Sequence, residues 1–137
     1  QPLSLLFIDL DGFKEFNNTY GHQRGSRVLV EAGAVIRNCV RATDVVARFG
    51  GDEFSVVLPN TGSDRAMAVA DRVRTRLSSH RFLASEGFNC RLTASAGVAT
   101  LPEVVPTVDR LLQAADDAMY RVKAHGKDGI RLADAVA

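Results

Sequence analysis

Cysteine is scarce in this sequence, with only Cys39 and Cys90 among the 137 residues. The two form no Cys-x-x-Cys pair and have no histidine cluster beside them, which excludes the usual structural zinc motifs. No arrangement of Ser, His and Asp suggests a hydrolase triad either. We therefore expect two reduced, mostly buried thiols and a cytoplasmic location.

An excess of charge of one sign is also missing, because 17 Lys and Arg residues face 16 Asp and Glu residues, for a net charge of +1. Surfaces that bind duplex nucleic acid or anionic membranes need a basic excess. No apolar run is long enough to span a bilayer, and we expect no signal peptide. We expect neither nucleic acid nor membrane contact, although a local patch can still bind a small anionic ligand.

Apolar periodicity and turn residues predict an alternating order of strands and helices. Strands are predicted over Leu3–Leu10, 45–49, 54–58, 90–99 and 130–132. Helices are predicted over 26–37, 63–79 and 107–123, with Ser63 and Thr107 as N-caps and Gly126 as a stop signal. This order predicts an α+β, ferredoxin-like βαββαβ core of the palm type, with an antiparallel sheet and helices on one face.

Two acidic pairs stand out at the ends of predicted strands. Asp9 and Asp11 end the first strand, and Asp52 and Glu53 follow Gly50-Gly51 in a predicted hairpin turn. The first strand of a ferredoxin-like sheet can lie beside such a hairpin, which would bring both pairs to one edge. Paired carboxylates suit Mg²⁺, and two such ions can assist displacement at phosphorus.

The segment Gly50-Gly51-Asp52-Glu53-Phe54 resembles the signature of the GGDEF family of diguanylate cyclases. The similarity extends over nearly the whole chain, and it includes the segments 7–14, 20–22, 92–98 and 115–120 together with Asn17, Lys123, Gly126 and Lys127. The resemblance implies one cyclase domain over residues 1–137. It implies a nucleotidyltransferase that joins two nucleoside triphosphates into a cyclic dinucleotide and releases pyrophosphate.

The resemblance also implies a role for each matching residue. Two Mg²⁺ ions per active site, or Mn²⁺ in their place, would be held by Asp9, the Leu10 carbonyl, Asp52 and Glu53. Asp52 and Glu53 are the implied catalytic residues, and Glu53 would help to deprotonate the attacking 3′-hydroxyl. The implied nucleotide-binding residues are Phe13, Lys14, Asn17, Ser26, Gly50, Gly51, Lys123 and Lys127.

A second implied site lies five residues before the GGDEF turn. Arg41-x-x-Asp44 matches the inhibitory motif of the family, where the cyclic dinucleotide product binds, and Arg72 matches a further arginine of that site. Arginine can donate two hydrogen bonds to phosphate or guanine, and aspartate can accept from a guanine edge. Because each domain would hold one triphosphate, the resemblance also implies a homodimer.

The chain departs from the family pattern in three places. It begins directly with the first strand, without the preceding DxLT and NR elements, so we expect a fragment of a longer signalling protein. Lys127 stands where many members have arginine, which keeps the charge but loses the planar fork. Ser26 stands where the pattern has aspartate; His22, in the same motif, is interpreted as structural.

Ser26 bears on which base is accepted. An aspartate there accepts hydrogen bonds from guanine and repels the acceptor N1 of adenine, whereas a serine hydroxyl can donate or accept. A hybrid promiscuous subgroup of the family has serine at this position and makes 3′,3′-cyclic GMP-AMP. The resemblance therefore implies the use of both GTP and ATP, with a strictly GTP-specific enzyme as the alternative.

Two further readings remain open from the sequence. Asp9-Leu10-Asp11-Gly12 also resembles the first motif of haloacid-dehalogenase phosphatases, with Asp9 as nucleophile and Asp11 as general acid. The residue after Gly12 is Phe13 rather than Thr or Val, and GGDEF would go unexplained. The other reading is a GGDEF domain without catalysis that binds nucleotide only to regulate a neighbouring domain.

Overall fold

The computed structural model describes residues 1–102 and 104–134. Within these residues five strands and four helices follow in the order β1 (Leu3–Leu10), α1 (Phe13–Tyr20), α2 (His22–Cys39), β2 (Val45–Arg48), β3 (Glu53–Pro59), α3 (Ser63–Ser79), β4 (Ala94–Leu101), α4 (Val108–Ala124) and β5 (Gly129–Leu132), with a 3₁₀ turn at Ala84–Glu86 before β4. None of these helices is long and apolar enough to cross a membrane.

The five strands form one sheet in the order β2-β3-β1-β4-β5. β1 lies at the centre and pairs antiparallel with both β3 and β4, while β2 pairs antiparallel with β3. This order confirms the predicted ferredoxin-like α+β core. β5 extends the sheet by pairing parallel with β4, so the complete sheet is mixed.

The helices cover both faces of the sheet, so the prediction that they lie on one face is wrong. Leu6, Ile8 and Leu10 of β1 pack in a core with α1, α2 and α3. Leu5 and Phe7 point to the opposite face and pack against α4. Successive side chains of a strand point to opposite faces, and β1 is apolar at both sets of positions, so each face needs a helical cover.

The predicted set of elements lacks α1, and the starts of α2 and β4 are each misplaced by four residues. α1 has only two buried residues, Phe13 and Phe16, which are too few to show helical periodicity. α2 begins at His22, after Gly21 has broken the helix with a φ of +93°, so it starts four residues before the predicted helix. Cys90 forms an isolated bridge outside the sheet, and β4 begins only at Ala94.

The predicted helix ends have mixed outcomes. Ser63 is the first residue of α3, so the N-cap position belongs to Gly62 rather than to Ser63. Thr107 does occupy the N-cap position of α4, although its side chain makes no capping hydrogen bond. Gly126 follows the end of α4 with a φ of +106°, as expected for a glycine stop signal.

The backbones of α4 and β4 approach each other closely at Gly97. A methyl group there would lie 2.0 Å from the Ala115 carbonyl oxygen and 2.4 Å from the Met119 nitrogen. We expect Gly97→Ala to lower the free energy of unfolding by about 1–3 kcal/mol, because helix backbone must move to admit the methyl group. Urea denaturation followed by circular dichroism measures this change.

Gly33→Ala is the matched control, because the same methyl group added in α2 would meet only Phe54, at 3.5 Å. Alanine is the better helix former, so this variant should gain about 0.5–1 kcal/mol. Equal effects of the two substitutions would contradict the close helix–sheet contact at Gly97.

Candidate active site

The two acidic pairs meet at one end of the sheet. Asp9 on β1 is the direct antiparallel partner of Glu53 on β3. Asp52 precedes Glu53 in the turn between β2 and β3 and lies close enough to Asp9 to interact with its carboxyl group. The expected convergence of the clusters is therefore present, and it follows from the register of two neighbouring strands.

Asp9 has a carboxylate whose negative charge is poorly compensated. Its Oδ2 lies 3.2 Å from Lys123 Nζ, whereas its Oδ1 is buried with no hydrogen-bond partner among the described residues. Burial raises the pKa of Asp9 to about 7, Lys123 opposes this rise, and the charge of Asp52 adds to it. The site therefore stores an electrostatic cost that a bound cation would relieve.

Asp11 has the opposite environment, because every carboxylate oxygen is satisfied. Ser95 Oγ donates to Oδ1 at 2.7 Å, and Thr93 Oγ1 and the Asp128 amide donate to Oδ2 at 2.7 and 2.9 Å. Although burial opposes it, hydrogen bonds from Lys123, Thr93 and Ser95 hold the pKa of Asp11 below its usual value. Asp11 thus ties β1 to β4 and to the turn before β5, and it is not free to act as the general acid of a phosphatase.

Lys123, in the last turn of α4, lies inside the acidic group. Its ammonium is 3.2 Å from Asp9 Oδ2 and 2.9 Å from Asp11 Oδ1, and it donates to the Leu10 carbonyl at 3.4 Å. Although burial opposes it, these carboxylates raise the pKa of Lys123. The Lys123 ammonium, which the family resemblance assigns to the triphosphate, therefore interacts here with groups at the end of β1.

Glu53, the first residue of β3, also has a raised pKa. Burial is the main cause, and the negative charges of Asp116 on α4 and of Asp52 add to it. Gly50 gives this side chain room, since a methyl group at Gly50 would lie 3.1 Å from Glu53 Oε1, and the glycine has a φ of +81°. A carboxylate with a raised pKa holds a proton more strongly than an ordinary one, which suits it to act as a base.

The residues present fit a hard divalent cation. Asp9 supplies an orphaned carboxylate oxygen, Asp52 a second carboxylate, and Leu10 a backbone carbonyl at the end of β1. Within residues 1–102 and 104–134, no three or more His, Cys, Asp and Glu side chains converge as a complete metal shell. Mg²⁺ commonly uses one or two protein carboxylates and completes its shell with water and phosphate oxygens, which matches this partial set.

A cavity of about 400 Å³ opens beside Asp52, between the GGDEF turn and the helices α1 and α2. Six of the predicted site residues line it: Phe13, Lys14, Asn17, Ser26, Gly51 and Asp52. Asn17 Oδ1 is a buried acceptor without a donor among the described residues, and it fits there because Gly25 has no side chain. Gly50, Lys123 and Lys127 do not line the cavity; Lys127 borders a separate crevice with Arg121 and His125.

Three cavity residues were not predicted as binding residues. His22 and Leu29 line the wall with Ser26, at intervals of four and three residues along one face of α2. This spacing is a signal that the sequence offers once the helix is known to begin at His22. Arg48 lines the cavity from the end of β2, and no motif pointed to it.

The predicted product-binding residues line a different crevice, of about 390 Å³, which Arg65 also borders. Arg41 Nη2 lies 3.1 Å from Asp44 Oδ1, and Arg72 Nη1 donates to the Cys39 carbonyl at 2.8 Å. Asp44 is only 3% exposed, and its buried carboxylate accepts hydrogen bonds from both the guanidinium and the backbone amide of Arg41. The structure therefore brings Arg41, Asp44 and Arg72 together.

Comparison with known proteins agrees with this geometry. The family model described as "Diguanylate cyclase, GGDEF domain" matches residues 1–129. The chain belongs to the GGDEF family. Among the curated relatives of this GGDEF domain, Diguanylate cyclase A of Treponema denticola is 38% identical over 132 residues, and Diguanylate cyclase DosC of Escherichia coli is 37% identical over 131 residues.

The matches cover 96% of this GGDEF domain but only 35% and 28% of those two relatives, so the chain spans about a third of their length. A solved GGDEF domain of YfiN (TpbB) from Pseudomonas aeruginosa is 38% identical, with a TM-score of 0.92 over 99% of this chain and 84% of its own. The GGDEF domain of DgcB from Caulobacter crescentus, solved in complex with c-di-GMP, is 26% identical, with a TM-score of 0.85 over 96% and 77% of the two chains. Family membership excludes the phosphatase reading.

The orphaned oxygen of Asp9 makes a metal-binding test specific. We expect Mg²⁺ to raise the melting temperature of the protein, and its affinity to rise about tenfold from pH 6 to pH 8. The sign follows from the Asp9 pKa of about 7: below it the carboxyl group holds a proton that the cation must displace. Thermal unfolding across a Mg²⁺ series at each pH measures both effects.

Asp9→Asn should abolish the Mg²⁺-dependent rise in melting temperature. Asp64→Asn removes one exposed carboxylate from the start of α3, outside the site, and should leave the rise intact. The same Mg²⁺ response in the Asp9 variant as in the unsubstituted protein would show that the cation binds elsewhere.

Proposed function

We propose that this GGDEF domain is the catalytic domain of a longer signalling protein that condenses two nucleoside triphosphates into a cyclic dinucleotide. One observation carries the proposal: the poorly compensated carboxylate of Asp9 lies close to Asp52, which lines a cavity together with residues expected to bind nucleotide. In each of two steps a 3′-hydroxyl oxygen bonds to the α-phosphorus of the other nucleotide, and the bond to pyrophosphate breaks. A homodimer is required because the cavity of each domain would hold one nucleotide.

Different groups around the cavity would bind the phosphates and the base of the nucleotide. Phe13 and Lys14 open α1, so their backbone N–H groups and the Lys14 ammonium suit phosphate oxygens. Asn17 offers its orphaned acceptor to the base. Gly51 lets backbone of the turn approach the nucleotide closely. Lys123 and Lys127 lie outside the cavity, and their contact with the triphosphate stays a prediction.

Asp9, the Leu10 carbonyl, Asp52 and Glu53 would hold two Mg²⁺ ions, or Mn²⁺ in their place, which when bound supply charge neutralisation to the phosphates. Glu53 also takes the proton from the attacking 3′-hydroxyl in this proposal. Its raised pKa supports that role, because a more basic carboxylate accepts the proton more readily.

Ser26 bears on the choice of base, because it lines the cavity on the same helix face as His22. A hydroxyl can accept from guanine N1–H or donate to adenine N1, so it imposes no carboxylate repulsion on ATP. We infer that both GTP and ATP are accepted and that 3′,3′-cyclic GMP-AMP forms beside cyclic di-GMP. A strictly GTP-specific cyclase is the alternative outcome of the test.

With equal GTP and ATP, we expect the full-length protein to make mixed cyclic GMP-AMP. Ser26→Asp should shift the product distribution toward cyclic di-GMP by about tenfold to a hundredfold, since a buried polar mismatch costs about 1–3 kcal/mol. Mass spectrometry of the products measures this distribution.

Asp52→Asn is the background control, with turnover expected to fall about a hundredfold or more. If cyclic di-GMP alone forms and Ser26→Asp changes nothing, the mixed specificity is wrong. If no cyclic product forms with either nucleotide, the domain is a nucleotide-binding regulator rather than a cyclase.

The crevice with Arg41, Asp44 and Arg72 is proposed as the inhibitory site for the cyclic dinucleotide product. Its half-exposed Arg41 guanidinium and its further arginine, Arg65, offer several donors to the two phosphates of such a product. Arg41 and Asp44 of the crevice precede β2 in the chain, and the GGDEF turn follows β2. Product bound there disfavours the active dimer by the same free energy with which that dimer disfavours product.

We expect Arg41→Ala to weaken cyclic dinucleotide binding about tenfold or more while substrate affinity stays nearly constant, because a charge-assisted phosphate contact is lost. Isothermal titration calorimetry with cyclic di-GMP and with a non-hydrolysable GTP analogue separates the two. Arg81→Ala, an exposed arginine outside the crevice, is the control. Unchanged product affinity in the Arg41 variant would rule out this assignment.

A further inference from the structure

Arg48 has a side-chain direction set by the pleat of the sheet. It is the last residue of β2 and pairs with Phe54 of β3. Phe54 points into the core shared with α1, α2 and α3, so its cross-strand partner Arg48 points to the same face. The next residue, Phe49, packs its ring edge-on against Phe7, 5.6 Å away between ring centres, on the opposite face. Alternation therefore directs Arg48 to the cavity that it lines.

The Arg48 guanidinium is unpaired in the described part of the chain. It makes no hydrogen bond or ion pair there, even though the Asp52 carboxylate lines the same cavity. By contrast, Arg41 and Arg74 are both engaged with carboxylates. A guanidinium carries five N–H donors, so Arg48 presents an unused cationic fork to the cavity.

The cavity needs this charge if it is to hold a triphosphate. Its permanently charged lining residues are Lys14, Arg48 and Asp52, which leaves a net charge of about +1 (two cations minus one carboxylate). The Lys123 ammonium on α4, which the family resemblance assigns to the phosphates, already forms ion pairs with Asp9 and Asp11. Without Arg48, Lys14 would be the one permanently cationic side chain among the described residues that line the cavity.

We propose that Arg48 binds phosphate oxygens of the nucleoside triphosphate held in this cavity, and that it is a substrate-binding residue of the cyclisation reaction. The proposal rests on the proposed function for the identity of the substrate. The planar fork suits two oxygens of one phosphate, which a lysine cannot reproduce. Because phosphate is common to GTP and ATP, this contact is indifferent to the base, unlike that of Ser26.

Calorimetry of the full-length protein with Mg²⁺ tests the proposal through binding rather than turnover. The probes are the non-hydrolysable analogue guanosine 5′-(α,β-methylene)triphosphate and the nucleoside guanosine, which has no phosphate. Arg48→Gln should weaken the triphosphate analogue about tenfold to a hundredfold, the range for a charge-assisted hydrogen bond, and leave guanosine within about twofold. Arg48→Lys should fall between, since it keeps the charge and loses the fork.

Arg91→Gln is the matched control, because Arg91 is exposed, lies outside the cavity and makes no ion pair among the described residues. It should change neither affinity. An equal loss for guanosine in Arg48→Gln would mean a base contact and overturn the proposal, as would unchanged affinity for the analogue. A loss seen only at protein concentrations where the dimer forms would place Arg48 on the partner's nucleotide and would also overturn it.

The same proteins separate this proposal from the proposed function. If the unsubstituted protein makes no cyclic dinucleotide but binds the analogue in an Arg48-dependent way, cyclisation is wrong and the phosphate contact stands. If cyclic product forms and Arg48→Gln leaves the affinity for the analogue unchanged, cyclisation stands and the phosphate contact is wrong.

Discussion

The antiparallel pairing of β1 with β3 is the constraint on which the candidate active site depends. It places Asp9 directly opposite Glu53, although 43 residues separate them in the chain (53 minus 9, less one). A shift of one residue in this register would send the side chains of one strand to the other face of the sheet. That shift is costly because β3 alternates, with Phe54, Val56 and Leu58 buried in one core, and a slip would move these side chains out of it. Hydrophobic packing thereby holds the acidic residues of both strands at one end of the sheet, where the charge of Asp52 raises the pKa values of both Asp9 and Glu53.

The two aspartates at the end of β1 have opposite environments. Asp11 accepts hydrogen bonds from Thr93, Ser95 and the Asp128 amide, and it therefore stabilises the frame around the site. Asp9, two residues earlier, has a buried oxygen without a partner and a pKa raised to about 7. A structure that satisfied both residues equally would be more stable but would offer a cation nothing, which is the common conflict between stability and function.

β2 connects the two sites proposed for the nucleotide and for the product. Asp44 is buried just before its first residue, and Arg48 faces the nucleotide cavity from its last. Four residues of strand span roughly 13 Å, so the two cavities are near neighbours on a short edge strand. Ligands bound at the two proposed sites would therefore contact opposite ends of the same strand.

Much of the architecture was available from the sequence by itself, because alternation, helical spacing and turn glycines are local signals. They sufficed for the βαββαβ order, the hairpin at Gly50-Gly51 and the meeting of the acidic pairs. The family motif led to six of the residues that line the cavity. Only the tertiary structure decided that α4 covers the second face, that Asp11 is satisfied while Asp9 is not, that Lys123 lies among the carboxylates, and that Arg48 points into the cavity. These features depend on which distant side chains become neighbours and on how their charges share a buried space, and a linear pattern of residues contains neither.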